Sequence, residues 1–288
     1  MINKNSAKRL LRLVGQKLYA ELDAIRATSN AKYPPIIVYQ MGKVGSTSIY
    51  RSLKSSVLPN SIIFVHSLSD DVINQKKVHL NSGIRPVPYH LDLGIALKDR
   101  LKKKKFNHKF KIISLVRDPI ALKISGTFQN PMFQDQLLQN STGMFDPIRI
   151  TNYLNAKLTS TNSFDYIFNW FDKELKTVFG IDVFAKPFNV NNGWTIFEGE
   201  TADALIIRLE DLSSIGEDVI SRFINVSENI SLFQSNLRSW TKDEKVYKYV
   251  KENVKLDREA CEKIYSNKFV THFYSAEQIE TMIDKWAK

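Results

Sequence analysis

The 288-residue chain is 43% hydrophobic and 25% charged, the balance of a globular domain, which argues against disorder beyond the ends. Lys and Arg outnumber Asp and Glu by 41 to 30, a net charge of +11 that favours acidic partners: nucleotides, anionic glycans, nucleic acid or an anionic membrane surface. Cys261 is the only cysteine, which excludes an intrachain disulfide and a cysteine-based zinc site and fits a reducing compartment.

No run has the length of a membrane span, and the first residues lack the apolar core and cleavage site of a secretion signal, so the expected location is the cytoplasm. A chain of this length buries one sizeable core, and residues 31–288 are expected to form a single α/β domain behind an N-terminal helix within residues 1–30. From Ser6 to Ala27, Leu11, Val14, Leu18, Leu22 and Ile25 recur at helical spacing beside Lys8, Arg9, Arg12 and Lys17. Such a basic amphipathic helix suits packing on the domain or on a partner, the favoured reading because its apolar face has no Trp or Phe anchor, or peripheral contact with an anionic membrane.

Pro35–Tyr39 is a short β-branched run of the kind that forms a buried strand. It leads into Gln40-Met41-Gly42-Lys43-Val44-Gly45-Ser46-Thr47-Ser48, and helical spacing resumes at Ile49, Leu53 and Val57. A strand, a glycine turn and a helix start gather backbone N–H groups and the positive helix end at one point, an anion site to which Lys43 adds a charge and Ser46, Thr47 and Ser48 add hydroxyls. The nucleoside triphosphate loop has its lysine directly after the second glycine. Here Lys43 precedes Gly45 by two residues, so the segment does not fit that loop; with no ligand it is simply a glycine turn with a solvated lysine.

Ser61–His66 is the second strand, with His66 at its C-terminal end, the edge where open α/β sheets hold ligands. A proline-bearing loop, Gly83–Tyr89, precedes His90, and Leu93–Leu101 is helical before the run Lys102–Lys105, a solvated surface or a contact for a polyanion. Phe110–Val116 is the third strand and runs straight into Arg117-Asp118-Pro119. Asp118 is placed to cap a helix and Pro119 to open it, with Ala121, Leu122, Ile124 and Ser125 continuing it. A guanidinium fork and a hydroxyl hold a phosphate dianion well, so Arg117 and Ser125 are a second candidate pair; the plainer alternative is a structural ion pair for Arg117.

The aromatic-rich stretch Phe145–Phe179 reads as core helix. Ile181–Phe184 and Trp194–Phe197 are expected strands around the turn Asn191-Asn192-Gly193, and Ala204–Leu209 is a further strand with Glu210-Asp211 opening the next helix. Lys242–Lys288 is helical and basic, broken near Ser266–Ser275, with His272 read as a packed residue among aromatic neighbours, ligand contact being the alternative.

The order Lys43-Val44-Gly45-Ser46-Thr47 resembles the 5′-phosphosulfate loop of sulfotransferases that use 3′-phosphoadenosine 5′-phosphosulfate (PAPS). Arg117 through Ser125, an arginine at a strand end and a serine eight positions on, resembles their 3′-phosphate motif. Among sulfotransferase-like families the chain is most similar to bacterial capsular polysaccharide synthesis proteins, from about Pro35 to the C-terminus, with weaker likeness at Trp170–Leu175, Ile206–Leu212 and His272–Ser275. Many carbohydrate sulfotransferases have a second arginine at the position of Leu122, and Lys123 is the neighbouring cation that could substitute for it.

This resemblance implies a three-layer α/β fold, P-loop-like, with a mainly parallel central sheet and extra C-terminal helices. It implies transfer of a sulfuryl group from PAPS to a hydroxyl of a capsular or other surface glycan, leaving adenosine 3′,5′-bisphosphate. Gly42, Lys43, Val44, Gly45, Ser46, Thr47 and Ser48 would hold the 5′-phosphosulfate, Lys43 would act on the oxygen leaving sulfur, and Arg117 and Ser125 would hold the 3′-phosphate. No metal is implied. For the acceptor proton His66 is the expected base, because imidazole titrates near neutrality and the strand end faces the site; His90 and a carboxylate are the alternatives. Two rival classes are a phosphate-loop kinase or NTPase and a noncatalytic glycan-binding or assembly protein on the same fold. Nucleic-acid binding has only basicity behind it, with no recognised motif.

Overall fold

The protein is described by a computed structural model over residues 4–29, 32–82, 87–103, 108–128, 145–160, 162–226, 230–233 and 244–288. Among these, the short β-branched runs pair into one five-stranded sheet in the order β2-β1-β3-β5-β4. β1 (Ile36–Tyr39), β2 (Ile62–Val65), β3 (Phe110–Val116) and β5 (Ala202–Arg208) are parallel, and β4 (Trp194–Glu198) is an antiparallel edge strand. Every residue of β1 is buried, and β3 and β5 are buried at all but one position each, as expected of parallel strands covered on both faces. This is the mainly parallel α/β fold expected from the sequence.

The helices are α1 (Lys4–Ser29), α2 (Ser46–Ser55), α3 (Asp71–Ser82), α4 (Tyr89–Lys103), α5 (Pro119–Thr127), α6 (Pro147–Leu158) and the short α7 (Asp165–Phe168). A π-helical turn at Asp172–Lys176 runs into α8 (Thr177–Phe179), and α9 (Leu212–Ile224) follows the sheet. The C-terminal helices are α10 (Glu244–Asn253), α11 (Arg258–Tyr265), α12 (Lys268–Phe273) and α13 (Ala276–Trp286). From β1 the chain passes through α2 to β2 on one side, then returns across to β3 on the other. The C-terminal ends of β1 and β3 therefore flank the point where the strand order reverses, the place where open α/β sheets open a ligand crevice.

Three elements differ from expectation. Ile181–Phe184 is not a strand: Ile181 and Val183 are buried singly in the core, while the Ile181 N–H donates to the Leu175 carbonyl at 3.3 Å and the Phe184 N–H to Asp182 Oδ1 at 3.0 Å. His90 lies in the first turn of α4, which starts at Tyr89 rather than Leu93. Lys268–Phe273 is helical within the expected break, because the Asn267 side chain accepts the Phe269 N–H at 2.9 Å and starts a new turn. Residues 83–86 of the expected loop and Lys104 and Lys105 of the lysine run lie outside the described residues.

α1 packs on the domain, but through the face opposite its apolar stripe. Ala20, Ala24 and Ala27 are buried against the domain, with α4 as the neighbouring helix, since small side chains let helix axes approach closely. Polar contacts fix the register: Gln16 Nε2 donates to the Val87 carbonyl at 2.9 Å and to Asp92 at 2.6 Å, Tyr89 donates to Asp23 at 2.6 Å, and Arg100 Nε donates to Thr28 Oγ1 at 2.5 Å. Val14 and Leu18 face away from that seam.

Candidate functional site

Both sequence motifs emerge at the switch point. After β1 the backbone turns sharply: Lys43 has φ 74° and Gly45 φ 89°, both left-handed, a conformation costly for lysine and natural for glycine. A Cβ at Gly45 would also lie 2.8 Å from Leu209 Cδ1. α2 then opens at Ser46 with no side-chain cap at its start. Val44 is fully buried in the core, Ser46 is buried, Ser48 is half-buried and Thr47 is exposed.

After β3, Asp118 caps α5 by accepting the Ile120 and Ala121 N–H groups at 2.9 and 3.3 Å, and Pro119 occupies its first turn. This leaves Arg117 at the strand end, where its Nη1 donates to the Lys43 carbonyl at 2.9 Å. The lysine turn and the arginine, 74 residues apart in sequence, are thus in direct contact.

Beside them opens a cleft of about 320 Å³ lined by Gly42, Lys43, His66, Gln75, His90, Leu122, Lys123, Gly126, Thr127, Lys157 and Tyr166, among others. Three lysines and two histidines line it, and among the described residues no carboxylate does, so its electrostatics favour an anion. Ser125 does not line it. The cleft is faced by the i, i+4 pairs Leu122/Gly126 and Lys123/Thr127 of α5, and Ser125 is buried on another side of that helix.

His66 is held in a defined tautomer. Its Nδ1 is 2.7 Å from the Gln40 carbonyl, and since a carbonyl only accepts, Nδ1 carries the proton and the neutral ring keeps Nε2 bare. Gln40 is fixed in turn, its Oε1 accepting the Leu115 N–H at 2.9 Å. Burial lowers the His66 pKa and the Lys43 charge adds to this, while the Gln40 hydrogen bond opposes it; the net direction keeps the imidazole neutral near pH 7. His90 packs edge-on against it, with ring centroids 4.8 Å apart.

The residues that hold this strand end lie in Trp170–Leu175, a segment that the sequence marked only by weak family likeness and to which it gave no role. Glu174, buried in the π-helical turn, accepts the Leu68 and Ser69 N–H groups at 2.8 and 2.9 Å, the Ser67 and Ser69 hydroxyls at 2.5 and 2.7 Å, and the Tyr39 hydroxyl. One turn earlier Trp170 Nε1 donates to the His66 carbonyl at 3.1 Å. Together they clamp the loop that follows His66 to the end of β1. The i, i+4 spacing of Trp170 and Glu174 within an aromatic stretch was the available signal, an acid on a core-facing stripe.

Asp118 has a comparable role toward the C-terminal helices: Tyr265 and Trp286 Nε1 each donate to its carboxylate at 2.7 Å. Glu210 accepts the Asp118 N–H at 3.0 Å and the Tyr274 hydroxyl at 3.1 Å, and burial pushes the Glu210 pKa up. Arg208 pairs with Asp211 at 2.6 Å and donates to Gln278 at 2.6 Å. The Ile206–Leu212 and His272–Ser275 segments are therefore joined behind the site as a scaffold. His272 is enclosed by Phe184 and Phe273, with centroids at 5.1 and 4.7 Å, and stands as a packed residue.

The model of one protein family, described as "Putative capsular polysaccharide synthesis protein", matches residues 143–275. No curated protein and no solved structure matches the chain. The matched span contains Trp170, Glu174, Arg208, Glu210 and Tyr274, whereas Lys43, His66, Arg117 and Ser125 lie before it.

Proposed function

We propose that the protein is a PAPS-dependent sulfotransferase acting on a hydroxyl of a capsular or other surface glycan. The observation that carries this reading is the contact between Arg117 and the Lys43 carbonyl at the switch point, with Lys43 itself lining a cation-rich cleft. The donor set suits a phosphosulfate: a left-handed lysine turn, an uncapped helix start and a guanidinium, with no carboxylate among the described residues that line the cleft. The family likeness over residues 143–275 supports the glycan part.

In this mechanism the sulfuryl donor is PAPS. Lys43 stabilises charge on the oxygen that leaves sulfur, a role worth about 3 kcal/mol in comparable sites. Backbone and hydroxyl donors from Gly45 to Ser48 hold the 5′-phosphate, and Arg117 the 3′-phosphate. His66 Nε2 takes the acceptor proton as the new S–O bond forms, and the electron pair of the broken S–O bond stays on the 5′-phosphate.

The 143–275 likeness taken alone also fits a noncatalytic glycan-binding or assembly protein, which would bind glycan without transferring sulfate. Radiolabelled PAPS incubated with capsular polysaccharide distinguishes the two. Label should enter the glycan and fall about 100-fold in Lys43→Ala. Glycan binding by wild type with no transfer of label would refute the enzyme.

A further inference from the structure

Beyond Lys43 and His66 the cleft has a second group of cations. α5 presents Lys123 to it and α6 presents Lys157. Lys123 is half-buried, with its ammonium 5.8 Å from the Phe164 ring centre, and Lys157 donates to the Tyr153 hydroxyl at 2.8 Å. Burial lowers the Lys123 pKa and the Lys157 charge adds to this, against a weaker opposing pull from Asp165. Among the described residues no carboxylate lines this wall, and two cations that repel each other there, with Asp165 only weakly offsetting, are relieved by a bound anion. They lie on the Leu122/Gly126 side of α5, away from Ser125 and the expected 3′-phosphate contact.

We propose that Lys123 and Lys157 form an acceptor subsite for a carboxylate-bearing glycan, a polymer with a uronic-acid unit beside the hydroxyl that is modified. This rests on the sulfotransferase reading for what occupies the Lys43 end. The test is calorimetric titration with an oligosaccharide carrying glucuronate in each repeat and with its carboxyl-reduced form, each with and without adenosine 3′,5′-bisphosphate. The acidic form should bind about tenfold more tightly. Lys157→Met, at an exposed position where the fold is not at risk, should erase that preference and leave bisphosphate affinity unchanged. Equal affinity for the two forms, or no measurable binding of either, overturns the subsite. So does a loss of bisphosphate affinity in Lys157→Met, which would assign the cation to the nucleotide. A wild type that prefers the acidic form yet ignores the bisphosphate would support the subsite and sink the sulfotransferase reading.

A separate observation concerns α1. With its alanine face docked, Val14, Leu18, Leu22 and Ile25 remain 59, 60, 38 and 40% exposed. The same helix carries Lys4, Lys8, Arg9, Arg12 and Lys17 with no acid before Glu21. By sequence the first half of this helix is uniformly basic, and a parallel second copy would set like charge against like charge, whereas anionic lipid neutralises it. We infer that α1 lies on an anionic membrane surface with its apolar stripe among the lipid headgroups. Co-sedimentation with phosphatidylcholine vesicles, with and without phosphatidylglycerol, should show binding only to the anionic vesicles, weakened by salt and lost in a Leu18→Asp, Leu22→Asp double variant. No binding, equal binding to both vesicle types, or a dimer in sedimentation equilibrium that the double variant abolishes would overturn the inference.

Discussion

Replacing Glu174 by glutamine separates the charge of this buried carboxylate from its shape. Oε2 accepts two backbone N–H groups that cannot turn, at 2.8 and 2.9 Å, so the glutamine carbonyl must take that place. The new NH₂ then faces the Ser67 and Ser69 hydroxyls, which can rotate to accept. Shape and pairing survive while the bonds lose their charge assistance; about 1 kcal/mol at each of two or three contacts gives a loss of ~2–3 kcal/mol. Glu174→Ala instead strands the Leu68 and Ser69 N–H groups in a dry site, at ~1–3 kcal/mol each, and should cost ~4–5 kcal/mol with the lost Tyr39 contact. Urea unfolding followed by tryptophan fluorescence reads the stability. Because the clamped loop begins at His66, an NMR titration of that imidazole reads its local effect. A Glu174→Gln protein within ~0.5 kcal/mol of wild type, with the His66 titration unmoved, would show that the carboxylate does not organise this strand end.

The lowered His66 pKa gives two pH effects with one sign. The acid limb of the sulfate-transfer rate should have its midpoint below the ordinary 6.5 and vanish in His66→Ala; an unchanged profile there would pass the role to His90 or a carboxylate. Because the unfolded chain then binds this proton more tightly than the folded one, the stability contributed is present above pH 6.5 and lost as pH falls toward the folded pKa. Gly45→Ala should cost ~1–2 kcal/mol by forcing a side chain into left-handed backbone against Leu209; melting at the wild-type temperature would contradict that conformation. Asp118→Ala removes a helix cap and leaves the buried Tyr265 hydroxyl and Trp286 Nε1 without this acceptor. Thermal unfolding should show a loss of ~3–5 kcal/mol, and a loss under ~1 kcal/mol would mean that the C-terminal helices do not depend on it.

Where local chemistry and tertiary packing agree, the sequence was legible. β3 runs from Phe110 to Val116 as read, because a buried parallel strand is a mostly apolar, β-branched run, here interrupted by Lys111 and Ser114, and Asp118-Pro119 marks the start of α5 as read. Ile181–Phe184 alternates apolar residues with Asp182, which pairs with Lys176, and meets no partner edge, so Ile181 and Val183 bury one by one. The period of α1 was right and its orientation was not: hydropathy weights Leu18 above Ala24, yet the small residues make the closer helix contact. Glu174 was hidden because its partners lie 105 to 135 residues away. Ser125 kept the motif spacing, but the helix turned it away from the cleft, a consequence of how α5 packs that spacing alone does not contain.

Calorimetric titration with adenosine 3′,5′-bisphosphate, set against AMP and ATP, tests most directly whether the Lys43 turn and Arg117 act on one nucleotide. The bisphosphate should bind about 100-fold more tightly than either competitor, since only it offers an anion to both grips. Equal affinities for all three, or no binding of the bisphosphate, would contradict it.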